Sequence, residues 1–155
     1  MPDRLMFVAF EPRNGGFKAF LSVEGLLSGE GDPELVLQEA ARVYEASTER
    51  MRTLLAEIEG RRASRTLIPA RKVWQLGDAI FELTEGLASL SLRLNGVYAH
   101  LVRDLGVKRK WLEKAVILRR YVAAQDIMPD SLSWGRLEKG TRRAAEKLSK
   151  GLALG

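Results

Sequence analysis

The apolar positions of this chain change spacing along its length, and each change marks a new kind of element. Leu5-Met6-Phe7-Val8-Ala9-Phe10 is a short strand-like run. Asn14-Gly15-Gly16 follows as a turn, since Asn and Gly accept the positive φ that hairpin turns demand. Phe17, Ala19, Leu21 and Val23 then alternate with Lys18, Phe20, Ser22 and Glu24, which is the two-residue period of a strand. A β-hairpin is therefore expected over residues 5–23. Two strands alone are marginal, so it must pack on helices or pair with another chain. Gly25 to Gly31 reads as a loop. Asp32-Pro33-Glu34 starts a helix, with Asp as N-cap, Pro at the first helical position and Glu favourable to the dipole. Leu37, Tyr44, Met51 and Ile58 fall seven apart and carry this helix to about Glu59. Gly60-Arg61-Arg62-Ala63-Ser64-Arg65 reads as a break or basic turn.

The clearest period comes next. Val73, Leu76, Ile80, Leu83, Leu87, Leu90 and Leu94 alternate spacings of three and four, an a/d seam on a helix expected from Pro69 to Leu94. Asn95-Gly96 is the expected stop. Two long helices joined by a short turn should fold back as an antiparallel hairpin over 32–95. Gly77 and Gly86 each cost roughly 1 kcal/mol inside a helix relative to Ala; either another backbone approaches closely there or they are merely tolerated. The seam is either the core of that hairpin or a coiled coil that docks a second copy or a protein partner.

Residues 98–121 read YAHLVRDLGVKRKWLEKAVILRRY. Tyr98 to Leu105 is a short helix with Leu101, Val102 and Leu105 on one side. Gly106-Val107-Lys108 is a turn. Arg109 to about Ala123 is a second helix, with Leu112, Ala115, Val116, Leu118 and Val122 available to a core. This stretch, over 97–123, resembles the bihelical helix-turn-helix of DNA-binding proteins, although Val102 stands where that motif has a small residue. The resemblance implies that the second helix enters the major groove with Lys108, Arg109, Lys110 and Lys114 leading, and with Arg119 and Arg120 nearer the backbone. Trp74-Gln75-Leu76-Gly77-Asp78-Ala79-Ile80, His100 to Gly106 and Leu112 to Tyr121 together are similar to the helical N-terminal domain of some uncharacterised restriction-like nucleases. In that family cutting belongs to a separate C-terminal domain, so this resemblance implies a binding or assembly module.

The tail, expected as a C-terminal basic helix over 130–152, adds Arg142, Arg143 and Lys147. Trp111 and Trp134 are candidates for base stacking or, more simply, for packing.

Composition sharpens this picture in one respect. The 155 residues carry a net charge of +5, and its distribution is uneven. Residues 1–100 hold 12 Lys and Arg against 14 Asp and Glu, whereas residues 101–155 hold 13 against 6. Such asymmetry suggests either a polyanionic partner, most simply DNA or RNA and with DNA the expected one, or a solvated basic surface. Cysteine is absent, which excludes disulfides and thiolate metal sites. His100 is the lone histidine, so no ordinary zinc site, cofactor or acid–base pair is expected. Pro129-Asp130 and Glu138-Lys139 have the residue types of a nuclease signature, but their spacing is too short for it. Met1–Phe10 lacks a small-residue cleavage site, and no apolar run reaches the roughly 20 residues of a membrane span.

The chain is thus expected to be one mainly α domain, 1–155, cytoplasmic and non-enzymatic. Its expected parts are an N-terminal β-hairpin, a long antiparallel helical hairpin, a helix-turn-helix and a C-terminal helix. Its expected role is nucleic-acid binding, as a regulator or as the DNA-binding part of a larger assembly. The rival is a protein–protein adaptor or structural coiled-coil module.

Overall fold

A computed structural model describes residues 6–21 and 33–154. The chain is mostly helical. Among the described residues it forms strands β1 (Met6–Arg13), β2 (Gly16–Leu21) and β3 (Leu92–Leu94), and helices α1 (Pro33–Ala63), α2 (Ala70–Ala88), α3 (Val97–Leu105), α4 (Arg109–Tyr121) and α5 (Thr141–Ser149). None of these helices is long and apolar enough to cross a membrane. The expected N-cap Asp32 and the loop at 25–31 lie outside the described residues, as do Leu5 and Val23 at the ends of the hairpin. The chain divides into two compact units. The first comprises residues 1–49 and 81–106, the second 50–80 and 107–155. Each unit takes part of α1 and part of α2.

In the first unit the hairpin forms as its alternation implies, with Phe10 opposite Ala19 and Glu11 opposite Lys18. Asn14 (φ 36) and Gly15 (φ 84) supply the turn. The sheet order is β2-β1-β3, and β3 corrects the sequence reading. Helix α2 stops at Ala88 instead of running to Leu94. Leu90 and Ser91 close a tight turn onto the carbonyls of Leu87 and Ala88, with Ser91 at φ 61. The chain then pairs parallel to β1, Met6 with Leu92 and Val8 with Leu94. A seam of leucines fits either period over so short a stretch, and the backbone partners offered by β1 decide it. Asn95-Gly96 therefore leads from a strand into α3 and does not end α2.

Past Val8, side chains continue what β3 begins. Asn95 N–H donates to the Val8 carbonyl at 2.9 Å. Phe10 N–H donates to His100 Nε2 at 3.0 Å, and Arg103 Nη2 donates to the Phe10 carbonyl at 2.7 Å. The Phe10 ring stacks on Tyr44 with centroids 4.3 Å apart. Tyr44 donates its hydroxyl to Asp104 Oδ2 at 2.5 Å, and Arg103 grips both carboxylate oxygens at 2.7 and 2.8 Å. Strand, α1 and α3 are thereby tied through one buried carboxylate, whose side chain is 3% exposed. Burial, then the bond to Asp104, pushes the Tyr44 phenol well above the usual tyrosine range. Burial acts to raise the Asp104 carboxyl, but the bonds from Arg103 and Tyr44 outweigh it and hold the group below its usual range.

In the second unit the ends of α1 and α2 run antiparallel. Lys72 pairs with Glu57 and Asp78 with Arg50, so one index rises as the other falls. The seam residues Val73, Leu76 and Ile80 of this unit are buried, as are Leu83 and Leu87 in the first unit. Helix α1 continues through Gly60 and ends only at Ala63, where Arg65 takes a left-handed conformation (φ 59). The expected C-terminal helix over 130–152 is shorter than its amphipathic pattern implied. Trp134–Arg136 and Glu138–Gly140 are instead short 3₁₀ turns, and the stretch is held to residues 68–70, with Trp134 N–H donating to the Ile68 carbonyl at 2.7 Å and Ala70 N–H to that of Leu132 at 2.9 Å. Gly135 and Gly140 in that stretch weaken helix propensity, so the backbone bonds elsewhere.

Gly77 has the role that its position implied. A Cβ there would sit on the Ala115 carbonyl oxygen and 2.8 Å from the Arg119 Cβ, because α4 crosses α2 backbone to backbone at this point. At Gly86 the nearest neighbour is only a side chain, Val43 Cγ1 at 2.9 Å.

Two outcomes are expected. Gly77→Ala should cost about 2–3 kcal/mol in urea unfolding from the forced backbone shift, while Gly86→Ala stays within about 1 kcal/mol of wild type. For Asp104 the folded-state pKa lies below the unfolded one. Its contribution is complete above about pH 4, the ordinary carboxylate value, and is lost as pH falls through the lower folded value. Asp104→Asn should cost about 2 kcal/mol at neutral pH and flatten this acid limb; an unchanged limb in that variant would show the carboxylate to be idle.

Candidate nucleic-acid interface

Helix α4 separates its faces cleanly. Leu112, Ala115, Val116 and Leu118 are buried. On the other side Arg109, Lys110 and Arg120 are exposed, and Glu113, Lys114, Ile117 and Tyr121 are half-buried. Glu113 is the sole acid on this helix, and it lies 3.5 Å from Arg109 Nε one turn away. Lys114 falls three residues after Trp111 and seven before Tyr121, so all three share one side.

Those two aromatic residues carry cations brought from elsewhere in the sequence. At the start of α4, Arg62 lies over the Trp111 ring, 5.0 Å from its centroid. This brings the end of α1 and its basic turn, Arg61, Arg62 and Arg65, beside Lys108, Arg109 and Lys110. The turn is firmly closed: Thr66 N–H donates to the Arg61 carbonyl at 2.9 Å, and Arg61 itself donates to the Leu67 carbonyl at 3.2 Å. At the far end of α4, Arg142 lies over Tyr121 at 5.7 Å, which brings the α5 cations Arg142, Arg143 and Lys147 alongside. Arg142 also pairs with Glu146 at 3.3 Å.

The sequence-derived residues thus divide. Lys108, Lys110, Lys114, Arg120, Arg143 and Lys147 take part in none of the ion pairs found among the described residues. Arg119 is occupied inside the unit. Its Nε donates to Asp78 Oδ1 at 2.8 Å, its guanidinium lies 5.0 Å over Trp74, and its side chain is 24% exposed. Asp78 bridges it to Arg50, at 3.3 Å. Arg119 therefore holds α4 on α2, and the outward cation is its neighbour Arg120. Arg61, Arg62 and Arg65 were missed as site residues. Their basic turn was visible in the sequence, but nothing there ties residue 62 to residue 111.

All nine sequence-derived cations fall in the second unit, together with the basic turn. That unit carries 19 Lys and Arg against 8 Asp and Glu, a balance of +11 against the +5 of the whole chain. The Trp residues are packed: Trp134 is 2% exposed and stacks on Trp111 with centroids 5.8 Å apart.

Helices α3 and α4 have the boundaries expected of a helix-turn-helix. Gly106 at φ 65 caps α3, its N–H donating to the Val102 carbonyl at 3.0 Å. Glycine adopts that conformation at no steric cost. A helix-turn-helix places both helices in one core; here α3 counts with the first unit and α4 with the second. Val102, at 37% exposed, packs little. His100 has both ring nitrogens engaged, Nε2 by Phe10 N–H and Nδ1 by the Gly96 carbonyl at 3.0 Å. No family model, curated protein or solved structure matches the chain.

Truncating the two kinds of basic side chain should separate packing from surface. Arg119→Ala is expected to lower stability by about 1–3 kcal/mol, since it strips a mostly buried carboxylate of a partner. Lys110→Ala is expected to stay within about 0.5 kcal/mol of wild type. Equal urea midpoints for the two variants would contradict this division.

Proposed function

We propose that this protein is a non-enzymatic nucleic-acid-binding module, DNA rather than RNA being its partner, and that α4 is the helix that meets the polyanion. One observation carries the reading: Arg62 on Trp111 and Arg142 on Tyr121 gather three sequence-distant basic clusters onto the two ends of a single exposed helix. Lys108, Lys110, Lys114, Arg120, Arg143 and Lys147 take part in no ion pair among the described residues. Like charges at such density repel one another, so the arrangement costs stability unless a counter-charge arrives. Phosphates supply it, and each cation that neutralises a phosphate releases a condensed counterion into solution. The exposed, cation-bearing side of α4 supports it as a groove-entering helix, the part that the second helix of a helix-turn-helix takes. The reading rests on α4 and its neighbours in the second unit and does not require α3.

The direct test is retention on heparin and binding to duplex DNA at two salt concentrations, with Lys108, Arg109 and Lys110 changed together to Ala. The triple variant should keep its helical signal. It should bind at least about tenfold more weakly at low salt, with a log–log salt slope shallower by about one for each phosphate it no longer neutralises. Unchanged affinity in a folded triple variant would remove α4 from the interface.

A further inference from the structure

Every aromatic ring of the second unit is already occupied. That unit holds four aromatic residues: Trp74, Trp111, Tyr121 and Trp134. Trp74 lies under Arg119, and its indole N–H donates to the Val122 carbonyl at 2.8 Å. Trp111 is engaged by Arg62 and by Trp134. Tyr121 lies under Arg142. Proteins that hold single strands stack the unpaired bases on aromatic faces. Trp74 and Trp134 are buried, and on half-buried Trp111 and Tyr121 a base would compete with Arg62 or Arg142 for a ring face.

The residues that read adenine are absent from α4 as well, and its lysines and arginines can take phosphate or guanine alike. Sequence is read in the major groove by Arg or Lys at guanine and by Asn or Gln at adenine, with Ser and Thr assisting. Helix α4 has no Asn, Gln, Ser or Thr between Arg109 and Tyr121. Arg109, its first arginine, pairs with Glu113. Thr141 of α5 is buried, its hydroxyl donating to the Leu137 carbonyl at 3.0 Å.

Length decides the remaining geometry. Thirteen residues make α4 about 20 Å long, and the major groove of B-DNA is about 12 Å wide. A helix laid across that groove therefore reaches a phosphate strand with each end, and the ends are where Arg62 and Arg142 add their clusters.

Resting on the nucleic-acid reading above, we propose that the partner is the phosphate backbone of a double helix, bound across the groove with little regard to base sequence. Single strands, whose grip depends on stacking, are poor ligands. The cations on the aromatic residues thus do two things. They hold α1 and α5 against α4, and they compete for ring faces that a loose strand would use.

The test measures the whole chain by fluorescence anisotropy against two 20-bp DNA duplexes of unrelated sequence and against their separated strands, over a salt series. The two duplexes should bind within about threefold of each other, and the single strands at least about tenfold more weakly. Single strands bound as tightly as duplex would overturn the proposal, and so would one duplex preferred by about a hundredfold; both leave nucleic-acid binding itself intact. Failure to bind duplex, single strand and heparin alike at low salt would instead remove the parent reading together with this one.

Discussion

The close crossing of α4 over α2 is the constraint on which the second unit is built. Two helix backbones come this near only where one side chain is missing, and Gly77 is that position. Its neighbour Asp78 converts the approach into a fixed register, by accepting from Arg50 of α1 and Arg119 of α4. Trp74, one turn earlier, closes the far side by donating to the Val122 carbonyl. Glycine, aspartate and tryptophan on one stretch of α2 thus decide how deep α4 sits, in which direction it runs and which of its faces remains outside. The basic surface is the remainder left by that packing.

How much of this was legible in the sequence depends on whether the deciding contact was local. The turn at Asn14-Gly15, the boundaries of α3 and α4 and the glycine between them are set by neighbouring residues, and reading the chain found them. A glycine inside the α2 pattern likewise announced the close backbone at Gly77. The end of α2 was not legible. Leu90 and Leu94 continue a helical period, while Leu92 and Leu94 equally satisfy a strand period. The choice rests on β1, some eighty residues away. The stretch at 130–140 is a similar case, where the backbone pairs with residues 68–70 in preference to its own turns. For the candidate surface, α4 and α5 were identified through local charge. The basic turn at 61–65 was seen but not placed, because the Arg62–Trp111 contact spans some fifty residues without any pattern announcing it. Arg119 and Arg120 look equivalent in sequence, and only the location of Asp78 separates a packing arginine from a surface one.

Charge is partitioned in the same way as structure. A net charge of +5 describes a mildly basic chain, but it averages over a unit at +11. The aromatic residues under Arg62 and Arg142 help these cations sit close to others of their sign, Arg142 with the further support of Glu146. The ring quadrupole offers part of the stabilisation that an acid gives, without cancelling the charge. A surface built this way stays positive at long range while its side chains are held in place.

Helix α3 also finishes a sheet that its own strand leaves incomplete. Strand β3 ends at Leu94, opposite Val8, yet β1 continues to Phe10 and beyond. Its next backbone donor and acceptor are taken by the side chains of His100 and Arg103. An exposed edge of this kind is a template on which another molecule's strand can add, and the first step toward aggregation. Two side chains on one helix turn blunt that edge without spending a further strand on it. A lesion at either position would therefore leave a buried backbone group of β1 without its partner.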